Sequence, residues 1–214
     1  MEKSGFLVPK GNFRNLIAFQ KAECIYDVTY FFAHKFLERG DRTIDQMIQA
    51  ARSGKQNIAE GNSSSMTSRE SEIKLINVAK ASFKELMLDY EDYLRTRHLE
   101  QWAMDSEKAI QAREVCAKQN DSAYYREAVT TRSDETIANI ALILLHQEDY
   151  LLHRLLESIK QQFLEHGTMH EELIKGRRQY KKQQKILQQF SCIVSLNHRL
   201  VSQTMNCHYF KVKK

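Results

Sequence analysis

Proline is nearly missing from this sequence, with one residue, Pro9, in 214, and glycine occurs only seven times. β-Sandwiches, barrels and loop-rich scaffolds need turn-forming residues at short intervals, so the 205 residues after Pro9 exclude them. Cysteine is scarce and scattered, at positions 24, 116, 192 and 207, with no Cys-x-x-Cys pair. That spacing suits neither a disulfide framework nor zinc, so no metal or cofactor is expected. No apolar run approaches the ~18 residues of a membrane span, and residues 1–12 lack the apolar core of a signal peptide, so a cytoplasmic protein without a membrane partner is expected. The phosphate-loop, dinucleotide, nucleophile-elbow and His-Glu-x-x-His patterns are absent too. The expectation is an all-α protein that is not an enzyme, with no catalytic residues.

Acid is missing from one region. The chain holds 32 basic and 27 acidic residues, net +5. Residues 175–214 contain 10 of the basic and none of the acidic ones, which leaves 22 against 27, net −5, in residues 1–174. An acidic body with a strongly basic appendage points to an interaction segment, and a polyanion is its usual partner.

What is present is helical periodicity. At about 100° per residue, Phe19, Ala22, Ile25, Tyr26, Phe32, Ala33, Phe36 and Leu37 share one arc of a helix over Phe13–Arg39, with Gly40 as its stop. Thr43 with Gln46 reads as a capping box for a second helix running to about Ala59, with Gly61 ending it. Residues 62–66 read as a polar loop, and Thr67 with Glu70 as the cap of a third helix whose stripe includes Ile76, Ala79, Phe83, Leu86, Tyr90 and Leu94. An irregular insertion follows at about 96–132, with Trp102, a short helix near Glu107–Lys118, and Tyr124-Tyr125. A fourth long helix spans about Asp134–Glu165 on a wide apolar stripe, and Gly167 stops it. The cheapest burial of four such stripes is an up-down four-helix bundle over residues 12–166, with the helical insertion between helices three and four. A basic helical suffix and tail occupy 167–214, opened by a Thr168/Glu171 cap.

Few residues offer chemistry. His146 and His153 are seven apart but fall on the polar side of helix four, as solvated histidines do. Glu148 falls inside that helix's apolar arc, where a carboxylate is either a shifted acid or a structural partner of a cation; no second carboxylate or histidine accompanies it, which favours structure. Ser63–Ser65 could contact phosphate, yet a polar turn explains them as well. The suffix helix stands above this background. Lys175, Arg177, Arg178, Lys181, Lys182 and Lys185 lie within an arc of about 160°, unmixed with acid, while Leu173, Tyr180 and Leu187 line the other side. One face can dock on protein while the other presents six cations to a nucleic-acid backbone, read by charge and shape rather than by base.

Longer strings add a resemblance. Phe19-Gln-Lys-Ala22, Ala50-Ala51-Arg52-Ser53, Asn57-Ile-Ala-Glu-Gly61 and Val78-Ala79-Lys80-Ala81-Ser82-Phe83-Lys84-Glu85-Leu86 resemble the four-helix-bundle proteins encoded by intervening sequences of bacterial 23S ribosomal RNA genes. The accessory variability determinant proteins of diversity-generating retroelements use the same fold. Asp92-Tyr-Leu-Arg95, Trp102 and His146-Gln-Glu-Asp-Tyr-Leu-Leu152 look closer to a longer bacterial subgroup with a suffix domain. The resemblance implies a non-enzymatic homo-oligomer, commonly a pentamer, and in the retroelement branch a basic surface that engages nucleic acid and a protein partner. It implies structural roles for Asn57 as a helix-end cap, Glu60 as an ion-pair partner and Gly61 as a C′ glycine, and a positioning role for His146. The acidic body departs from the basic retroelement proteins, so RNA or other nucleic acid would have to be met by the suffix helix.

Overall fold

The computed structural model describes residues 12–65, 68–166, 171 and 174–190, and among them there is helix and no strand. The chain divides into two compact units, Met1–Gly167 and Thr168–Lys214. The first contains a 3-10 turn, Phe13–Asn15, and six α-helices: α1 (Ile17–Phe36), α2 (Arg42–Ser64), α3 (Arg69–Thr96), α4 (Glu107–Lys118), α5 (Ser122–Thr131) and α6 (Asp134–His166). The second contains α7, residues 174–190. No described helix is long and apolar enough to cross a membrane.

The core follows from the 3.6-residue stripes. α1 buries Ala18, Phe19, Ala22, Ile25, Val28, Phe32 and Ala33. α2 packs on α1 and on α3, and α6 packs on α3 and on α1. Between α1 and α3, the Phe32 ring lies 5.1 Å from the Tyr90 ring and 4.8 Å from the Tyr93 ring, and Tyr90 donates a hydrogen bond to Thr29 Oγ1 at 3.2 Å. Burial of a ring such as Phe32 stabilises by about 1.5–3 kcal/mol, and the offset and edge-on ring contacts add to that.

Three of the strings that carried the resemblance lie on α2 and α3, which pack on each other. Small residues on α2 bring the helices close: a Cβ at Gly54 would stand 2.4 Å from the buried Phe83 ring, and one at Gly61 would stand 3.2 Å from Ile76 Cδ1. Ser53 and Ser82 join hydroxyls across this contact at 2.9 Å.

Several expected boundaries are corrected here. α1 ends at Phe36, and Gly40, at φ +95°, serves the turn into α2 rather than the helix end. Asp41, not Thr43, caps α2, accepting from the Thr43 amide at 2.8 Å. α2 continues through Gly61 to Ser64, because Gly61 is buried against α3 and has no need of a left-handed exit. Asn57 is therefore mid-helix, donating to Ser53 O at 2.8 Å, and not a cap; Gly61 is a packing glycine, not a C′ residue. Glu60 is exposed and makes no ion pair among the described residues. Ser68 caps α3 by accepting from the Ser71 amide, and Thr67 lies outside the described residues.

The insertion is more ordered than expected, since α5 joins α4 in it. α4 packs on α6 and α5 on α1. Asn139, buried on α6, holds the segment that leads into the insertion: its Oδ1 accepts from the Trp102 amide at 2.8 Å and its Nδ2 donates to Glu100 O at 2.8 Å.

Candidate functional site

α7 carries the six expected cations. Placed at about 100° per residue, Arg177, Lys181, Lys185, Arg178, Lys182 and Lys175 follow one another around an arc of about 160°. All six are exposed, and none makes an ion pair or side-chain hydrogen bond among the described residues. Opposite them Tyr180, Leu187 and Phe190 are 62%, 65% and 63% exposed, so the apolar side expected to dock on protein is open. Leu173, the Thr168 cap and the tail 191–214 lie outside the described residues.

Two lysines of the first unit are used differently. Lys21 on α1 is only 2% exposed. Its ammonium donates to the carbonyl oxygens of Cys116 and, at 3.0 Å, Gln119, both at the C-terminal end of α4. Lys35, fourteen residues further along α1, donates to Val129 O at 2.6 Å and Thr130 O at 3.0 Å at the end of α5. The last carbonyls of a helix have no partner within it and carry the negative end of its dipole, so each lysine supplies what the helix end lacks. α1 thereby pins both helices of the insertion.

Beside Lys21 lies Glu148, 0% exposed, with neither carboxyl oxygen hydrogen-bonded among the described residues. Burial raises its pKa well above the usual carboxylate value, which Lys21 partly opposes. Burial likewise lowers the Lys21 pKa, while Cys116, Cys24 and Glu148 raise it. The Cys24 thiol is pushed up to about 12 and the Cys116 thiol is also raised, both chiefly by burial. Thiols so shifted stay protonated at neutral pH and are poor nucleophiles. Glu148 makes no ion pair among the described residues; Lys21 acts on it only through its charge, and burial, not a cation partner, dominates its environment. Lys21 itself was missed, although a signal existed: it stands four residues before Ile25 and seven before Val28, on their side of the helix.

His146 and His153 are exposed on α6. Ser63, Ser64 and Ser65 turn their hydroxyls back onto the carbonyl oxygens of Ala59, Gly61 and Asn62, which leaves them committed to the end of α2 rather than offered to phosphate. Among the described residues no group of three or more His, Cys, Asp or Glu side chains could hold a metal ion.

Two cavities flank α4. One, about 440 Å³, is largely apolar, walled by Ile143, Leu151 and Tyr150 with Lys21, Arg113 and His146. The other, about 280 Å³, lies among α4, α5 and α6 and is rich in aromatic rings. Glu148 lines neither. No family model matches the chain, and neither a curated protein nor a solved structure does.

Proposed function

We propose that this protein is a non-catalytic, homo-oligomeric helical bundle that binds nucleic acid, RNA or a ribonucleoprotein, through the cationic face of α7. In this reading α1, α2, α3 and α6 form a four-helix bundle like that of the ribosomal intervening-sequence proteins, since each packs on two of the others. The observation that carries the function is the open state of Lys175, Arg177, Arg178, Lys181, Lys182 and Lys185, none neutralised by a carboxylate among the described residues. Six unpaired cations on one face can meet a phosphate backbone through charge, whatever its base sequence.

The test is fluorescence anisotropy of a labelled generic RNA at several salt concentrations. With four to six phosphates contacted, log affinity should fall against log salt with a slope of about −3 to −5, at ~0.7–0.9 per contact. The Lys181→Gln, Lys182→Gln, Lys185→Gln triple variant should shallow that slope by about 2–3. Equal binding by both proteins would remove the reading.

A second reading has its own observation. The exposed Tyr180, Leu187 and Phe190 side of α7 would suit packing on another protein chain, as in an assembly scaffold that touches no nucleic acid. Light scattering with Leu187→Glu separates the two. Loss of the oligomer with RNA binding intact assigns that side to assembly, and a parent monomer removes both the scaffold and the oligomeric part of the first reading.

A further inference from the structure

The smaller cavity of the first unit has a composition of its own. Three aromatic residues, Trp102, Tyr124 and Tyr125, line it with two cations, Lys108 and Arg132, and the amide of Gln111. The Tyr124 and Tyr125 rings meet edge to face, 5.2 Å apart at 89°, and the Lys108 ammonium stands 6.0 Å from the Trp102 ring. No carboxylate is among the lining residues. Arg132, exposed at the end of α5, has no ion pair or side-chain hydrogen bond among the described residues. Lys108 does pair with Glu100, at 3.3 Å, but the side chains are 63% and 61% exposed. A pair so hydrated is weak enough to yield to a better anion.

Rings with π faces take up flat apolar groups, and at the same wall the unpaired Arg132 and the weakly paired Lys108 take up negative charge. A cavity of about 280 Å³ admits a ring system with one charged substituent and little more. From this juxtaposition we propose that the cavity between α4, α5 and α6 binds a small planar aromatic anion of the mononucleotide kind, its ring against Trp102 and Tyr124 and its phosphate on Arg132 with Lys108. The site belongs to the first unit and stands without the α7 reading. Its ligand has two sources with the same chemistry, a free mononucleotide or a nucleotide splayed from an RNA strand.

Trp102 is the only tryptophan in the chain, so its fluorescence reports this wall alone. The probes are AMP, adenosine, inorganic phosphate and a short oligoadenylate, titrated against the full-length protein. AMP is expected to change the emission saturably, with adenosine and phosphate each at least about tenfold weaker. Arg132→Gln should weaken AMP about tenfold and Lys108→Gln by less, both keeping the parent melting temperature. The α7 triple variant should bind AMP as the parent does, which separates this site from the RNA reading. Tighter binding of AMP than of oligoadenylate, or the reverse, assigns the source. Quenching that never saturates, equal affinity for adenosine and AMP, no effect of Arg132→Gln, or loss of AMP binding in the triple variant would each overturn the site.

Discussion

Two lysines of α1 and the lysines of α7 do opposite work. On α1, Lys21 and Lys35 each spend their donors on the carbonyl ends of other helices, and Lys21 is sealed in doing so. On α7, Lys181, Lys182 and Lys185 are exposed and make no ion pair or side-chain hydrogen bond among the described residues. The difference teaches that a positive charge becomes structural where a helix end lies within reach, and remains available to a partner where only water does. Counting basic residues cannot tell the two apart.

The sharpest way to break this comparison is Lys21→Met, which keeps the stem's volume and removes the charge. It orphans the carbonyls of Cys116 and Gln119, and unfolding in urea should show a loss of about 3 kcal/mol. A loss below about 1 kcal/mol would mean that Lys21 is tolerated rather than used.

Next comes the carboxyl beside it. The unfolded chain releases the Glu148 proton near the ordinary 4.5, and the folded chain well above it. Above about pH 4.5 the folded state therefore holds the extra proton, and stability falls with rising pH by up to ~1.4 kcal/mol per unit until the buried group ionises. Lys21 acts in the opposite sense. Its folded pKa lies below 10.5, so stability rises as pH climbs from that lowered value toward 10.5. Glu148→Gln should abolish the fall above pH 4.5, seen as converging melting curves at low pH and a more stable variant at higher pH. Parallel pH profiles for parent and variant would contradict the neutral carboxyl.

Smaller effects complete the comparison. Lys35→Met should cost about 1 kcal/mol, because its carbonyl partners at the end of α5 are nearer to water and can be hydrated. The Lys181→Gln, Lys182→Gln, Lys185→Gln variant should leave stability within ~0.5 kcal/mol while weakening RNA binding. A marked loss of stability there would show that α7's cations are structural as well, and the two regions would no longer differ.

Much of the helical plan was legible because it rests on local periodicity. The short helix Glu107–Lys118 and the start of α6 at Asp134 stand where spacing put them. α5 was hidden because Tyr125, Ala128 and Val129 make barely one turn of stripe, too little to distinguish from a loop. Gly61 misled because a glycine after a helical run reads equally as an exit or as a close approach, and only the neighbouring Ile76 decides between them. The cationic arc of α7 was fully legible, since it depends on spacing along one helix. The aromatic cavity was not, because Trp102, Lys108 on α4, and Tyr124 with Arg132, on α5 and at its end, come from separate segments.

By itself the sequence determined the all-helical class, the stripes that make the core and the imbalance of charge between body and suffix. Each is a property of residues a few positions apart, and helical geometry fixes their relation in advance. Only the tertiary structure decided that Lys21 would be buried against α4, that Gly61 would pack rather than terminate, and that rings and cations would meet around one cavity. Those contacts join residues as much as 98 positions apart, and what holds them is the packing of whole helices, which no local pattern encodes.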